Sequence, residues 1–107
     1  MRYYKMPYII SYAYYPPTQS EKVAKRYLEV FKKLPLISGI KRIIPAAVTS
    51  TEKGYEVMMV DEVKHENQGD AIDYLAKFLV EFRDIEGFTY KINSWSTLNE
   101  AMAFLGM

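Results

Sequence analysis

Cysteine is absent from all 107 residues. Disulfides, thiolate metal centres and cysteine nucleophiles are therefore excluded together, and a cytoplasmic location fits. No apolar run approaches the roughly 20 residues that span a bilayer. The apolar run that follows Arg2 and Lys5 is not read as a signal peptide: it is rich in tyrosine, stops at Pro16-Pro17 and carries no small-x-small cleavage site. There is no Gly-x-Ser-x-Gly nucleophile elbow, no phosphate-binding glycine loop and no low-complexity tract. A net charge of +1 gives no global pull toward nucleic acid or a membrane surface.

What is present suits one soluble domain over residues 1–107, since 50% of the chain is hydrophobic and 25% charged. The charges are divided unevenly. Residues 1–53 hold ten Lys or Arg against three acids, and residues 54–107 hold four against ten. Two solvated helix faces of opposite sign would account for this. The same division would also steer self-association across a symmetric contact.

"YIISYAYY", residues 8–15, reads as a strand of Ile and Tyr ended by two prolines. Thr18 and Glu21 have capping-box spacing before a helix to about Lys33, with Val23, Tyr27, Val30, Phe31 and Leu34 as its apolar stripe. "IKRIIPAAVT", 40–49, is a second strand, and Pro45 within it predicts a sheet edge. Gly54 closes a turn into "YEVMMVDEV", 55–63, the third strand of a hairpin. A second helix is predicted over roughly 68–84, and Phe88, Tyr90 and Ile92 alternate with polar residues in a fourth strand, 88–95. Thr97 and Glu100 cap a short last helix. The order strand, helix, strand, strand, helix, strand predicts a ferredoxin-like α+β sandwich. Its four-stranded antiparallel sheet carries two helices on one face, with the first and third strands central.

Two helices leave the other face of such a sheet open. Ile9, Ser11 and Ala13 are small enough to lie under the helices, which turns Tyr8, Ile10, Tyr12 and Tyr14 outward. The same alternation places Glu56, Met58, Val60 and Glu62 there from the third strand, and Thr89, Lys91, Asn93 and Trp95 from the fourth. For the second strand, Ile40, Ile44 and Val48 compete with Ile43 and Ala47 for the core. An open face of this size and apolarity is expected to be an interface or to line a pocket, because Tyr and Trp bury a ring while the tip finds a polar partner.

On topology and face chemistry, residues 8–96 resemble the dimeric α/β-barrel superfamily, in which two ferredoxin-like subunits pack sheet to sheet around a cavity. The resemblance implies a homodimer and a small-molecule-binding or sensing protein without a cofactor. As the runner-up it admits a cofactor-free monooxygenase or isomerase with Tyr12, Tyr14 or His65 as proton handlers. His65, the one histidine, falls where the third strand ends and reads first as a surface-loop residue. Asp61, Asp70 and Asp73 could share a divalent cation, but a negative helix start explains the acids and no metal is expected. The sheet also resembles RNA-recognition domains, whose third-strand motif begins like "KGYEVMMV", 53–60. Glu56 and Val57 then stand where a small residue and a stacking aromatic belong, and Glu56 and Glu62 would repel phosphate, so an RNA-binding module on the aromatic sheet face, which the basic first half favours, ranks third. Acylphosphatases share the topology, but "PPTQ" replaces their arginine-bearing loop.

Overall fold

A computed structural model describes residues 6–106; Arg2 and Lys5, which enter the reading against a signal peptide, lie outside them. The chain is α+β. Its elements are β1 (Tyr8–Tyr15), α1 (Ser20–Lys33), β2 (Ile40–Thr51), β3 (Gly54–Val63), α2 (Gln68–Val80), β4 (Thr89–Trp95) and α3 (Leu98–Phe104). The strands form one antiparallel sheet in the order β2-β3-β1-β4. β1 and β3 are central, and Pro45 sits in edge strand β2, where a missing N–H costs no central ladder bond. No helix among the described residues is long and apolar enough to cross a membrane.

The start of α1 differs from expectation. Thr18 does not cap it, because Pro17–Gln19 already forms a 3-10 turn whose extended leading residue is Pro16. Ser20 Oγ donates to the Pro17 carbonyl at 2.8 Å, and no side chain caps the α-helix itself. Two prolines thus fix the entry that a capping box was predicted to fix. The Thr97–Glu100 box does form, with Glu100 N donating to Thr97 Oγ1 at 3.2 Å and Thr97 N to Glu100 Oε1 at 2.9 Å. α2 stops at Val80, short of the predicted end, and the chain continues in tight turns that still bury Phe82 and Ile85.

β2 resists a period-two reading because its register slips twice, between Arg42 and Ile44 and between Ile44 and Ala47. Each slip adds a residue opposite β3 and shifts the alternation. Ile40 and Arg42 therefore pair with the inward Val63 and Asp61, while Ile44 and Ala47 pair with the outward Val60 and Met58, and Val48 returns to the helix side opposite Val57.

The core lies between the sheet and α1 and α2. Val23 and Val30 of α1 and Leu75, Phe78 and Leu79 of α2 cover Ile9, Met59 and Val63. Within this layer Asp61 is fully buried, and Arg42 grips both its oxygens, through Nε at 2.7 Å and Nη2 at 3.1 Å. Tyr74 donates to the Leu34 carbonyl at 2.7 Å, and burial pushes its hydroxyl pKa up. The unequal division of charge is resolved in part inside the chain. Arg26–Asp84, Lys33–Glu81 and Arg42–Asp61 each join a base of the first half to an acid of the second.

Candidate functional site

The strand registers define the open face position by position, because directly paired residues of antiparallel strands point to the same side. Read across β2, β3, β1 and β4, the face has four rows. They are Lys41–Glu62–Tyr8–Trp95, Ile44–Val60–Ile10–Asn93, Ala47–Met58–Tyr12–Lys91 and Thr49–Glu56–Tyr14–Thr89. All twelve residues of β1, β3 and β4 predicted from sequence to turn to this side do so: Tyr8, Ile10, Tyr12, Tyr14, Glu56, Met58, Val60, Glu62, Thr89, Lys91, Asn93 and Trp95. Its middle is apolar, with Ile10, Tyr12, Met58 and Val60 half-buried among their neighbours. Trp95 stands 46% exposed at one corner. The Lys91 ammonium lies 5.1 Å from the centre of the Tyr12 ring, a cation held over an aromatic face in the middle of the sheet.

Tyr15, the last residue of the strand, turns the other way. It packs against Tyr55 with ring centres 5.5 Å apart, and burial together with Tyr55 raises its pKa. Thus the crowding of tyrosine in β1 serves two layers.

The structure does not bring His65 to this face. Its Nδ1 lies 3.1 Å from Gln68 Nε2, and Gln68 Oε1 accepts from Ser94 Oγ at 2.5 Å. Ser94 pairs with the buried Ile9, so this chain of contacts runs on the helix side. Asp61 is likewise removed from Asp70 and Asp73: it is enclosed with Arg42, while they are exposed on α2, and no cluster of three metal-ligating side chains occurs among the described residues.

One depression was not anticipated. It has a volume of about 820 Å³ and lies between the end of α1, the link to β2 and the first half of α2. Lys33 and Lys77 flank it together with Asp70 and Asp73, so its rim has no single sign. The Arg42–Asp61 pair was also missed, although a signal existed. Asp61 shares the parity of Val57 and Met59, so it had to be buried, and a buried carboxylate requires a cation.

No protein-family model matches the chain, and no curated protein matches it. Among solved structures, it is similar to a de novo designed protein, Foldit4, with a TM-score of 0.56 and 12% sequence identity. The match covers 87% of this chain and 98% of that one. At that identity the likeness concerns the fold alone.

Proposed function

We propose that the chain is a ferredoxin-like domain that binds a small organic ligand at its open sheet face, in the manner of dimeric α/β-barrel proteins, with a second copy closing over that face. The observation that carries this reading is the make-up of the four rows. An apolar middle of Ile10, Tyr12, Met58 and Val60 is ringed by phenols, carboxylates and two ammonium groups, and among the described residues none of these four belongs to the packed core. An apolar patch of this extent is seldom left in water. The ring and ammonium of Tyr12 and Lys91 together suit a flat organic anion, whose plane stacks on a ring while its charge meets the cation. The element order and the central placing of β1 and β3 support the ferredoxin-like assignment. An enzymatic reading rests on Tyr12 and Tyr14 alone, because His65 is on the other side of the sheet.

Light scattering after size exclusion tests the dimer, with twice the chain mass expected. Titration with anilinonaphthalene sulfonate, an aromatic anion, tests the ligand class. The dye's fluorescence should rise with saturation on the wild type and fall several-fold for Lys91→Ala. A monomer with no saturable dye binding refutes the proposal.

A further inference from the structure

The charges of the open face decide how a second copy can lie on it, granted that the two copies meet there as proposed. A symmetric face-to-face contact has its two-fold axis in the plane between the sheets, so each residue meets the mirror position of the grid across that axis. Centring the apolar middle on itself leaves four simple directions for the axis. Laid across the strands, it sets Glu62 against the partner's Glu56 twice. Laid along the strands, it sets every charge against a neutral residue: Glu62 on Tyr8, Glu56 on Tyr14, Lys41 on Trp95 and Lys91 on Ala47. Laid along the diagonal from Lys41 to Thr89, it puts Lys41 against its own copy.

The remaining diagonal runs through Thr49, Met58, Ile10 and Trp95. Reflection across it sets Glu62 against the partner's Lys91, and Lys91 against the partner's Glu62, which gives two ion pairs from one contact. It also sets Tyr8 against the partner's Asn93 and Tyr12 against the partner's Val60. Ile10, Met58, Trp95 and the neutral Thr49 lie on the axis itself and meet their own copies. We infer that this chain self-associates through its open face with the sheets crossed near a right angle about that diagonal, an arrangement known for packed sheets. Strands are about 4.8 Å apart and same-face residues about 6.8 Å apart along a strand, so facing is close at Ile10 and Met58 and drifts by about 4 Å at the corners. A lysine side chain spans that drift at Glu62–Lys91.

The absence of cysteine makes the test clean. Met58→Cys and Ile10→Cys each place one thiol beside its own copy, at the roughly 10 Å spacing of packed sheets. A short bismaleimide should convert both variants to covalent dimers in high yield and leave Lys41→Cys largely uncoupled. In parallel, Glu62→Lys should weaken the dimer at least tenfold, and the reciprocal pair Glu62→Lys with Lys91→Glu should restore it. Circular dichroism confirms the fold of each variant. If Lys41→Cys cross-links instead, or if the reciprocal pair fails to restore a dimer that light scattering shows in the wild type, this two-fold is wrong while the dimer itself stands. A monomeric wild type removes both.

Discussion

On the helix side of the sheet, Ile9, Met59 and Val63 are sealed beneath α1 and α2. One residue away along the same strands, Ile10, Met58 and Val60 bring similar apolar bulk to the open side and remain half-exposed. The polar groups differ in the same sense. Asp61 on the helix side is consumed by Arg42, whereas Glu56, Glu62 and Lys91 on the open side form no ion pair among the described residues. One layer is finished by the chain itself. The other is composed like an interior but stays half-exposed, and in the proposed association its charges would recognise the partner. Stability should therefore reside on one face and association on the other.

Substitutions on the sealed face should be the more severe. Asp61→Ala leaves the Arg42 guanidinium buried without its counter-charge, and unpairing a buried ion costs about 3–5 kcal/mol. Urea denaturation should show a loss of that order. The double replacement Arg42→Met with Asp61→Leu should recover most of it, because two apolar side chains of similar volume leave no charge stranded. A loss under 1 kcal/mol for Asp61→Ala would mean that water reaches the pair and the face is not sealed.

Tyr12→Asp is the matching change on the open face. It sets a carboxylate in the apolar middle beside Met58, where the proposed second copy would cover it. The dimer should dissociate by light scattering, while the separated chain keeps its urea midpoint to within about 1 kcal/mol, as surface changes usually do. A variant that stays dimeric and equally stable would show that the open face is not the interface.

Ser11→Ala sharpens the contrast from within the sealed layer. Ser11 is buried, and its Oγ has no hydrogen-bond partner among the described residues. A buried unpaired hydroxyl carries a desolvation penalty of about 1–3 kcal/mol. Replacement by alanine should therefore raise thermal stability by about 1 kcal/mol and leave association unchanged. A destabilised variant would reveal a hydrogen bond to an internal water.

How much of this was legible depended on what enforced the alternation. β1, β3 and β4 keep strict period two, so Tyr8, Tyr12 and Tyr14 could be assigned to one face and Ser11 and Ala13 to the other from residue size alone. β2 could not be read this way. Its two register slips change phase at positions marked by no glycine, and Pro45 signals only an edge. The Thr18 box failed because spacing describes which side chains are able to cap. Two adjacent prolines instead impose backbone angles that start a turn two residues sooner, with Pro16 rather than Thr18 leading it. Helix ends and ion pairs depended on tertiary placement. Nothing local to Arg26 announces Asp84, which lies 58 residues on.

That last pair gives the smallest effect and the clearest sign. Arg26 donates to Asp84 through Nη1 at 2.6 Å and Nη2 at 3.1 Å, and this holds the Asp84 carboxyl at about 2 against its usual 3.8. Because the folded value is depressed, the carboxylate stabilises the fold fully above the usual value, and this contribution fades as the pH falls toward about 2. Asp84 is exposed, so solvent and salt screen most of the interaction. Melting temperatures of wild type and Asp84→Asn measured at low ionic strength should differ slightly at neutral pH and converge between about pH 4 and pH 2. Added salt should shrink the gap. If the gap instead persists below pH 2, Asp84 contributes by hydrogen bonding or packing that survives its protonation rather than by charge, since the bond from Arg26 Nη1 to the Glu81 carbonyl at 2.5 Å is common to both proteins.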